Sequence, residues 1–154
     1  LIEIPWQDNL LIQHLLLDFN GTIAFDGQLI DGVTEYLALL AQKIEIHVVT
    51  ADTFGDASEQ LEGLPVKLTI LPESTQVEAK QGYLSTLGSD MTVAIGNGRN
   101  DSLMLQDAAV GIALVQGEGA ALATLQSADI VCTSIVNALG LLLHPKRLVA
   151  TLRC

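Results

Sequence analysis

The chain has 154 residues, a formal net charge of −11, 49% hydrophobic residues and only 16% charged ones. That is enough apolar side chain for one domain with a proper core, and it excludes a disordered segment. The acidic balance argues against nucleic acid or an anionic membrane surface as partner, and a cation would suit any local acidic cluster.

In chain order, the first strong signal is the apolar run His14–Leu17, which ends on Asp18-Phe19-Asn20-Gly21-Thr22. A buried parallel strand delivers a carboxylate to the carboxyl edge of a sheet in this way, and α/β sites lie at that edge. Phe25-Asp26-Gly27-Gln28 reads as a tight turn, so Thr22 to Ile30 is expected to form a small hairpin over Asp18. Val33, Tyr36, Leu37 and Leu40 fall at i, i+3, i+4 and i+7, with Asp31 as the expected helix cap. Further strands are expected at Ile44–Val49, Val66–Leu71, Met91–Ile95, Val110–Leu114 and Ile130–Cys132. Helices are expected between them, over Phe54–Glu62, Thr75–Leu87, Arg99–Asp107 and Gly119–Ser127, and after them over Ile135–Leu143. Gly63 and Gly88 stop two of these helices, and Ser134 caps the last, which ends before Pro145.

This alternation predicts an α/β fold: a three-layer, Rossmann-like parallel sheet with helices on both faces and right-handed crossovers. A single domain over residues 1–154 is expected, with the small hairpin as a flap after the first strand. No cap domain is expected, because Thr22–Thr50 and Thr50–Lys80 are too short to hold one. Ile130 to Pro145 is free of charge but contains Thr133, Ser134, Asn137 and His144, and reads as strand, turn and helix rather than a membrane span. Leu1-Ile2-Glu3-Ile4-Pro5 lacks a signal-peptide shape. Cys132 and Cys154 follow no metal spacing and are expected as free thiols, in the cytoplasm. His14, His47 and His144 are scattered and are expected to be structural.

Four polar groups accompany four strands. They are the Asp18–Thr22 segment, Thr50-Ala51-Asp52, Lys80 in the helix before the Met91–Ile95 strand, and Gly96-Asn97-Gly98-Arg99-Asn100-Asp101. Parallel strands end at one edge, so these groups can converge. A nucleophile, a hydroxyl, an ammonium and a metal-binding carboxylate together serve phosphoryl transfer. Lys67 competes with Lys80 but sits within a strand run.

On these four ordered motifs the chain resembles the haloacid dehalogenase (HAD) superfamily from Leu15 to about Leu143. Asn20-Gly21-Thr22-Ile23-Ala24, Thr50-Ala51-Asp52-Thr53-Phe54-Gly55 and Gly96–Asp101 look like its small soluble capless branch, related to the P-type ATPase phosphorylation domain. The resemblance implies that Asp18 attacks phosphorus and that Thr50 hydrogen-bonds a phosphoryl oxygen. It implies that Lys80 neutralises charge, and that Asp18, Asp101 and the Asn20 carbonyl hold Mg²⁺, with Asn97 in the metal shell. Backbone N–H groups around Phe19 to Gly21, with Ala51, would complete the phosphate cradle. The implied partner is a phosphorylated substrate, and a neighbouring subunit in a homo-oligomer could wall the open site.

Two positions depart from the family. Asn20 stands where ordinary family phosphatases carry the acid that protonates the leaving oxygen, and an amide cannot relay a proton. General acid–base help contributes roughly 10²–10⁴-fold, so slow turnover is expected. Asn97 replaces a metal-shell Asp and should weaken Mg²⁺ binding. Asn20 also reads as a plain turn residue, and Asp52 as a partner for the turn that follows it. The rival readings are a catalytically weakened binding or regulatory module, and a receiver-like domain, which the Gly96–Asp101 loop disfavours.

Overall fold

The computed structural model describes residues 1–6, 8–52 and 55–153. A hairpin comes first, with β1 (Ile2–Ile4) antiparallel to β2 (Leu10–Ile12). β3 (His14–Asp18) opens the main sheet, and the hairpin β4 (Ala24–Phe25) and β5 (Gln28–Leu29) follows it. Then come α1 (Val33–Leu40), β6 (Glu45–Thr50), α2 (Asp56–Gln60), β7 (Lys67–Ile70), α3 (Gln76–Leu87) and β8 (Thr92–Gly96). The chain continues through α4 (Ser102–Asp107), β9 (Val110–Leu114), α5 (Leu122–Ser127), β10 (Ile130–Cys132), α6 (Ile135–Leu143) and α7 (Pro145–Leu152).

The main sheet has the order β10-β9-β8-β3-β6-β7, and every neighbouring pair is parallel. The chain moves outward from β3 to β7, returns to the other side of β3 as β8, and moves outward again to β10. The strand order therefore reverses between β3 and β8. The crevice beyond the carboxyl ends of strands at such a switch point is where open α/β sheets bind ligands. Asp18 ends β3 and Gly96 ends β8, so the loops carrying the first and last motifs flank that crevice.

Alternation along β3 assigns the two faces. Leu15 and Leu17 join a cluster with Val33, Leu37 and Leu40 of α1 and Ile135, Leu139 and Leu142 of α6. Leu16 enters the opposite cluster, with Leu84 of α3 and Met104 and Leu105 of α4. A strand covered on both sides needs apolar residues at every position, which is why the run is continuous rather than alternating. Leu15, Leu16 and Leu17 are each 0% exposed, and burying one such side chain contributes about 1.5–3 kcal/mol.

The strands and helices fall near where the sequence places them, with shifted ends, as in α5, which begins at Leu122 rather than Gly119, and with larger differences elsewhere. Asp31 does not cap α1: its N-cap is Gly32 at φ 91°, with no side-chain cap. The β1–β2 hairpin is additional to the expected elements. So is α7, which begins on Pro145, because proline is tolerated in a first helical turn where its missing N–H has no partner to lose. Arg99–Asp101 forms a 3₁₀ turn that precedes α4 rather than its first helical turn. Ser134 does cap α6, its Oγ accepting from the Asn137 N–H at 3.1 Å. Asp26 and Gly27 sit at φ 50° and 77°, the left-handed pair of a tight hairpin turn, as expected for the flap. Phe54, the expected start of α2, and the Thr53-Phe54 part of the second motif lie outside the described residues. No helix among the described residues is long and apolar enough to cross a membrane.

Candidate active site

Lys80 is the centre of the crevice. It projects from α3 and is 1% exposed. Its Nζ donates to Asp18 Oδ1 at 2.8 Å, Asp101 Oδ1 at 2.7 Å and Asn100 Oδ1 at 3.2 Å. An ammonium has three protons, and all three are used. Burial alone would lower the Lys80 pKa, but the charges of Asp18 and Asp101 outweigh it and hold the amine above its ordinary value. Lys67, the competing lysine, lies elsewhere, on Glu45 at 2.9 Å.

Asp101 is fully buried. Its Oδ2 accepts from the backbone N–H of Asn97 at 3.1 Å and of Gly98 at 3.0 Å, while Oδ1 faces Lys80. Gly96 permits this packing, since a Cβ there would lie 2.5 Å from the Asp101 carboxylate. Burial, and then the charge of Asp18, push the Asp101 carboxyl up to about 6 despite the pull of Lys80. The resemblance implies metal ligation for Asp101; in this structure its oxygens meet the lysine and the loop amides.

Asp18 keeps one face open. Among the described residues its Oδ2 receives only the Thr22 hydroxyl, at 3.3 Å, and the same hydroxyl lies 3.5 Å from Asn97 Oδ1. Gly21, at φ 84°, brings the first loop so close that a Cβ would strike the Asn97 amide. Asn97 Nδ2 donates to the Gly119 carbonyl at 3.0 Å, which leaves its oxygen facing the Thr22 hydroxyl. Gln116 clamps the loop from the far side: its Nε2 donates to the carbonyls of Gly21 and Thr22 at 3.0 and 2.7 Å. The Asn20 side chain accepts from the Gly27 N–H at 3.0 Å and so ties down the flap. Its carbonyl accepts no hydrogen bond from the described residues.

The other expected groups divide. Thr50 ends β6 and lines the same cavity as Asp18, as do Ala51 and Asn20. Phe19 is buried, and its carbonyl accepts from the N–H groups of Thr22, Ile23 and Ala24. The Gly21 N–H donates to the Ala24 carbonyl at 2.8 Å, so it is not available to cradle an anion. Asp52 holds the start of α2, accepting from the Ala57 N–H at 2.8 Å, and Arg99 is exposed outside the cavity.

The cavity over Asp18 has a volume of about 410 Å³. Asp18, Glu73 and Glu118 line it as carboxylates, against the single ammonium of Lys80. That ammonium is already spent on its three acceptors. A phosphate dianion entering here meets net negative charge, which a divalent cation would offset. Asp18 Oδ2 and Asn97 Oδ1 both lie beside the Thr22 hydroxyl, and Asn20 lines the same cavity, so the oxygens on offer to a cation are carboxylate, amide and backbone carbonyl. This all-oxygen set fits Mg²⁺, which accepts few protein ligands and keeps several waters.

Two residues here were missed in the sequence, Gln116 and Glu118. Both follow β9, so the rule that strand ends carry the chemistry applied to a fifth strand would have found them. Burial, and then the charges of Asp26 and Asp18, raise the Glu118 carboxyl above its ordinary value.

No protein-family model matches the chain. The chain is 51% identical over 61 residues to an uncharacterised protein of Methanocaldococcus jannaschii, a match over 40% of this chain that spans 66% of that relative's length. Among solved structures it superposes on a Legionella pneumophila protein assigned to subfamily III A of the HAD superfamily hydrolases. The TM-score is 0.68 at 21% identity, over 92% of this chain and 87% of that one. It also superposes on the 3-deoxy-D-manno-octulosonate 8-phosphate phosphatase of Moraxella catarrhalis, solved with magnesium ion, phosphate ion and KDO. Here the TM-score is 0.67 at 19% identity, over 92% of this chain and 94% of that one. At these identities the likeness is one of fold: the chain shares the fold of these haloacid dehalogenase superfamily hydrolases.

Proposed function

We propose that the protein is a magnesium-dependent phosphohydrolase that works through an aspartyl phosphate on Asp18, with a phosphomonoester or acyl phosphate as substrate. The observation that carries this reading is the buried Asp18–Lys80–Asp101 group at the switch point, with one Asp18 oxygen left open to the cavity. The phosphatase neighbour with bound magnesium and phosphate supports it. Mg²⁺ held by Asp18, Asn97 and the Asn20 carbonyl supplies positive charge that screens an anionic nucleophile from an anionic substrate.

Asp18 attacks phosphorus, and the bond from phosphorus to the leaving oxygen breaks. Lys80 stays charged throughout and holds the Asp18 oxygen it bonds. Asp101 keeps Lys80 in place, and Thr50 donates its hydroxyl to a phosphoryl oxygen. Water then attacks phosphorus, and inorganic phosphate departs with Asp18 restored. In the first step the leaving oxygen needs a proton, and in the second the water must lose one. Asn20 can do neither. Glu118 is the carboxylate with a raised pKa on the cavity wall, and it takes both roles in this reading.

Glu118→Gln tests that assignment. Turnover of an alkyl phosphate should fall by on the order of 10²-fold, while p-nitrophenyl phosphate, whose leaving group needs no proton, is spared in the first step. A general acid must be protonated, so the wild-type rate on alkyl phosphates should decline as pH rises through the Glu118 pKa, and the variant should lose that limb. Equal losses on both substrates would leave Glu118 only the activation of water, and no loss on either would remove it from the chemistry.

Asn20→Asp tests the slow-turnover account. The Asp keeps an oxygen for the Gly27 N–H and gains a titratable carboxyl at the family's usual position. Turnover should rise by on the order of 10²-fold. Unchanged turnover in a folded protein counts against the role given to the amide. Asn97→Asp is the poorer probe, since it trades the donation to the Gly119 carbonyl for repulsion.

A second reading has one observation in its favour. The Asn20 amide oxygen is committed to the flap, as in a module that binds phosphate without turning it over. Magnesium-dependent binding of phosphate with no hydrolysis of p-nitrophenyl phosphate would favour it.

A further inference from the structure

A second cluster of ligating side chains lies at the amino ends of β3 and β6, the opposite end of the sheet from Asp18. His14 Nδ1 is 3.2 Å from His47 Nε2. Glu45 Oε2 is 3.9 Å from the first and 3.6 Å from the second. Sheet register builds the group: His14 pairs with Glu45 across β3 and β6, and His47 stands two residues further along β6 on the same face. We infer that His14, Glu45 and His47 form a site for a divalent transition-metal ion of the zinc class, with a fourth position open to solvent.

Three features carry this beyond a chance meeting of side chains. The first is spacing. Two nitrogens that bind one tetrahedral ion at the usual zinc–nitrogen length stand about 3.3 Å apart, close to the separation found here. The second is orientation. Tyr83 Oη on α3 lies 2.9 Å from His47 Nδ1 and 3.4 Å from Thr69 Oγ1. When Nδ1–H donates to the tyrosine oxygen, the Nε2 lone pair points at His14. A partner on the distal nitrogen is the usual support of a metal-binding histidine. The third is access. His14 and Glu45 line a cleft of about 470 Å³ between Gln13 and Lys43.

The ligand chemistry selects the ion. Two imidazoles and one carboxylate suit zinc, whereas magnesium and calcium prefer oxygen alone. Lys67 is the competitor, since its Nζ sits 2.9 Å from Glu45 Oε2. Its side chain is 65% exposed, so it can swing into solvent when an ion arrives. The site would pin β3 to β6, roughly 13 Å from Asp18 by the rise of the strand. It is independent of the reaction proposed for Asp18.

Equilibrium dialysis with Zn²⁺ in excess Mg²⁺ tests the site, beside the visible spectrum of the Co²⁺-loaded chain. The wild type and Asp18→Asn should each retain one equivalent of Zn²⁺. His14→Ala and Glu45→Gln should bind at least about tenfold more weakly and lose the four-coordinate Co²⁺ bands, and Tyr83→Phe should weaken binding by about tenfold. Lys67→Met should bind more tightly, because it removes the competing cation. Glu45 is exposed, so Glu45→Gln remains decisive if His14→Ala does not fold. Less than one equivalent in the wild type, or undiminished binding by folded Glu45→Gln, would overturn the inference.

Discussion

Asp18→Asn should lower the hydrolysis of p-nitrophenyl phosphate by on the order of 10³-fold or more, in a protein that stays folded. An amide oxygen can still accept from Lys80, and Lys80 keeps its pair with Asp101, so the buried ammonium is not orphaned. The change also removes one of two carboxylates that repel each other across the lysine. Circular dichroism and thermal melting should therefore match or exceed the wild type while turnover collapses. Activity retained in the variant would move the chemistry away from Asp18.

Lys80→Met should have the largest effect on stability. It leaves Asp18 and Asp101 at the switch point with no cation between them, and Asp101 is fully buried. Removing one partner of a buried ion pair costs about 3–5 kcal/mol. The sign of its pH dependence follows from the pKa directions. The Lys80 pKa is raised on folding, so its stabilisation is full below its ordinary value and is lost as pH climbs through the folded one. The Asp101 pKa is also raised, to about 6 from 3.8, so folding favours its protonated form and its contribution weakens as pH rises across that window. Without the lysine that carboxyl rises further. The deficit of Lys80→Met, read by urea unfolding, should be greatest at neutral pH and shrink as acid protonates Asp101. A deficit that is constant between those pH values would show that lost packing, not uncompensated charge, sets the cost.

The sheet was legible because a strand covered on both faces must be apolar at every position. The runs at His14–Leu17 and Val110–Leu114 could not be hidden among amphipathic helices. The convergence of Asp18 and the Gly96–Asp101 loop followed from parallel strands presenting their carboxyl ends together, whereas Lys80 reaches them from α3. What each carboxylate touches was not legible. Asp101 turns under Gly96 to meet Lys80 and two loop amides, and a sequence motif does not say which oxygen meets which donor.

The other gaps have similar causes. Thirty-odd residues separate His14 from His47, and only the β3–β6 register makes them neighbours. Their reading as scattered is corrected by that register, which sets both beside Glu45. Glu118 sits in the glycine-bearing loop Gln116-Gly117-Glu118-Gly119, which carries no pattern of its own. Pro145 was read as a stop, although proline serves equally well in the first turn of a new helix. The likeness to the P-type ATPase phosphorylation domain rests on the sequence phrases, while the shared fold is that of the wider superfamily.

Covalent trapping would reveal an aspartyl phosphate on Asp18. The chain is incubated with acetyl phosphate and Mg²⁺, quenched in acid, and examined by intact mass and peptide mapping. The account predicts a species heavier by one phosphoryl group, with the modification on Asp18, more abundant in Glu118→Gln and absent from Asp18→Asn. A phosphorylated Asp18→Asn chain, or hydrolysis by the wild type with no adduct under any quench, would contradict it.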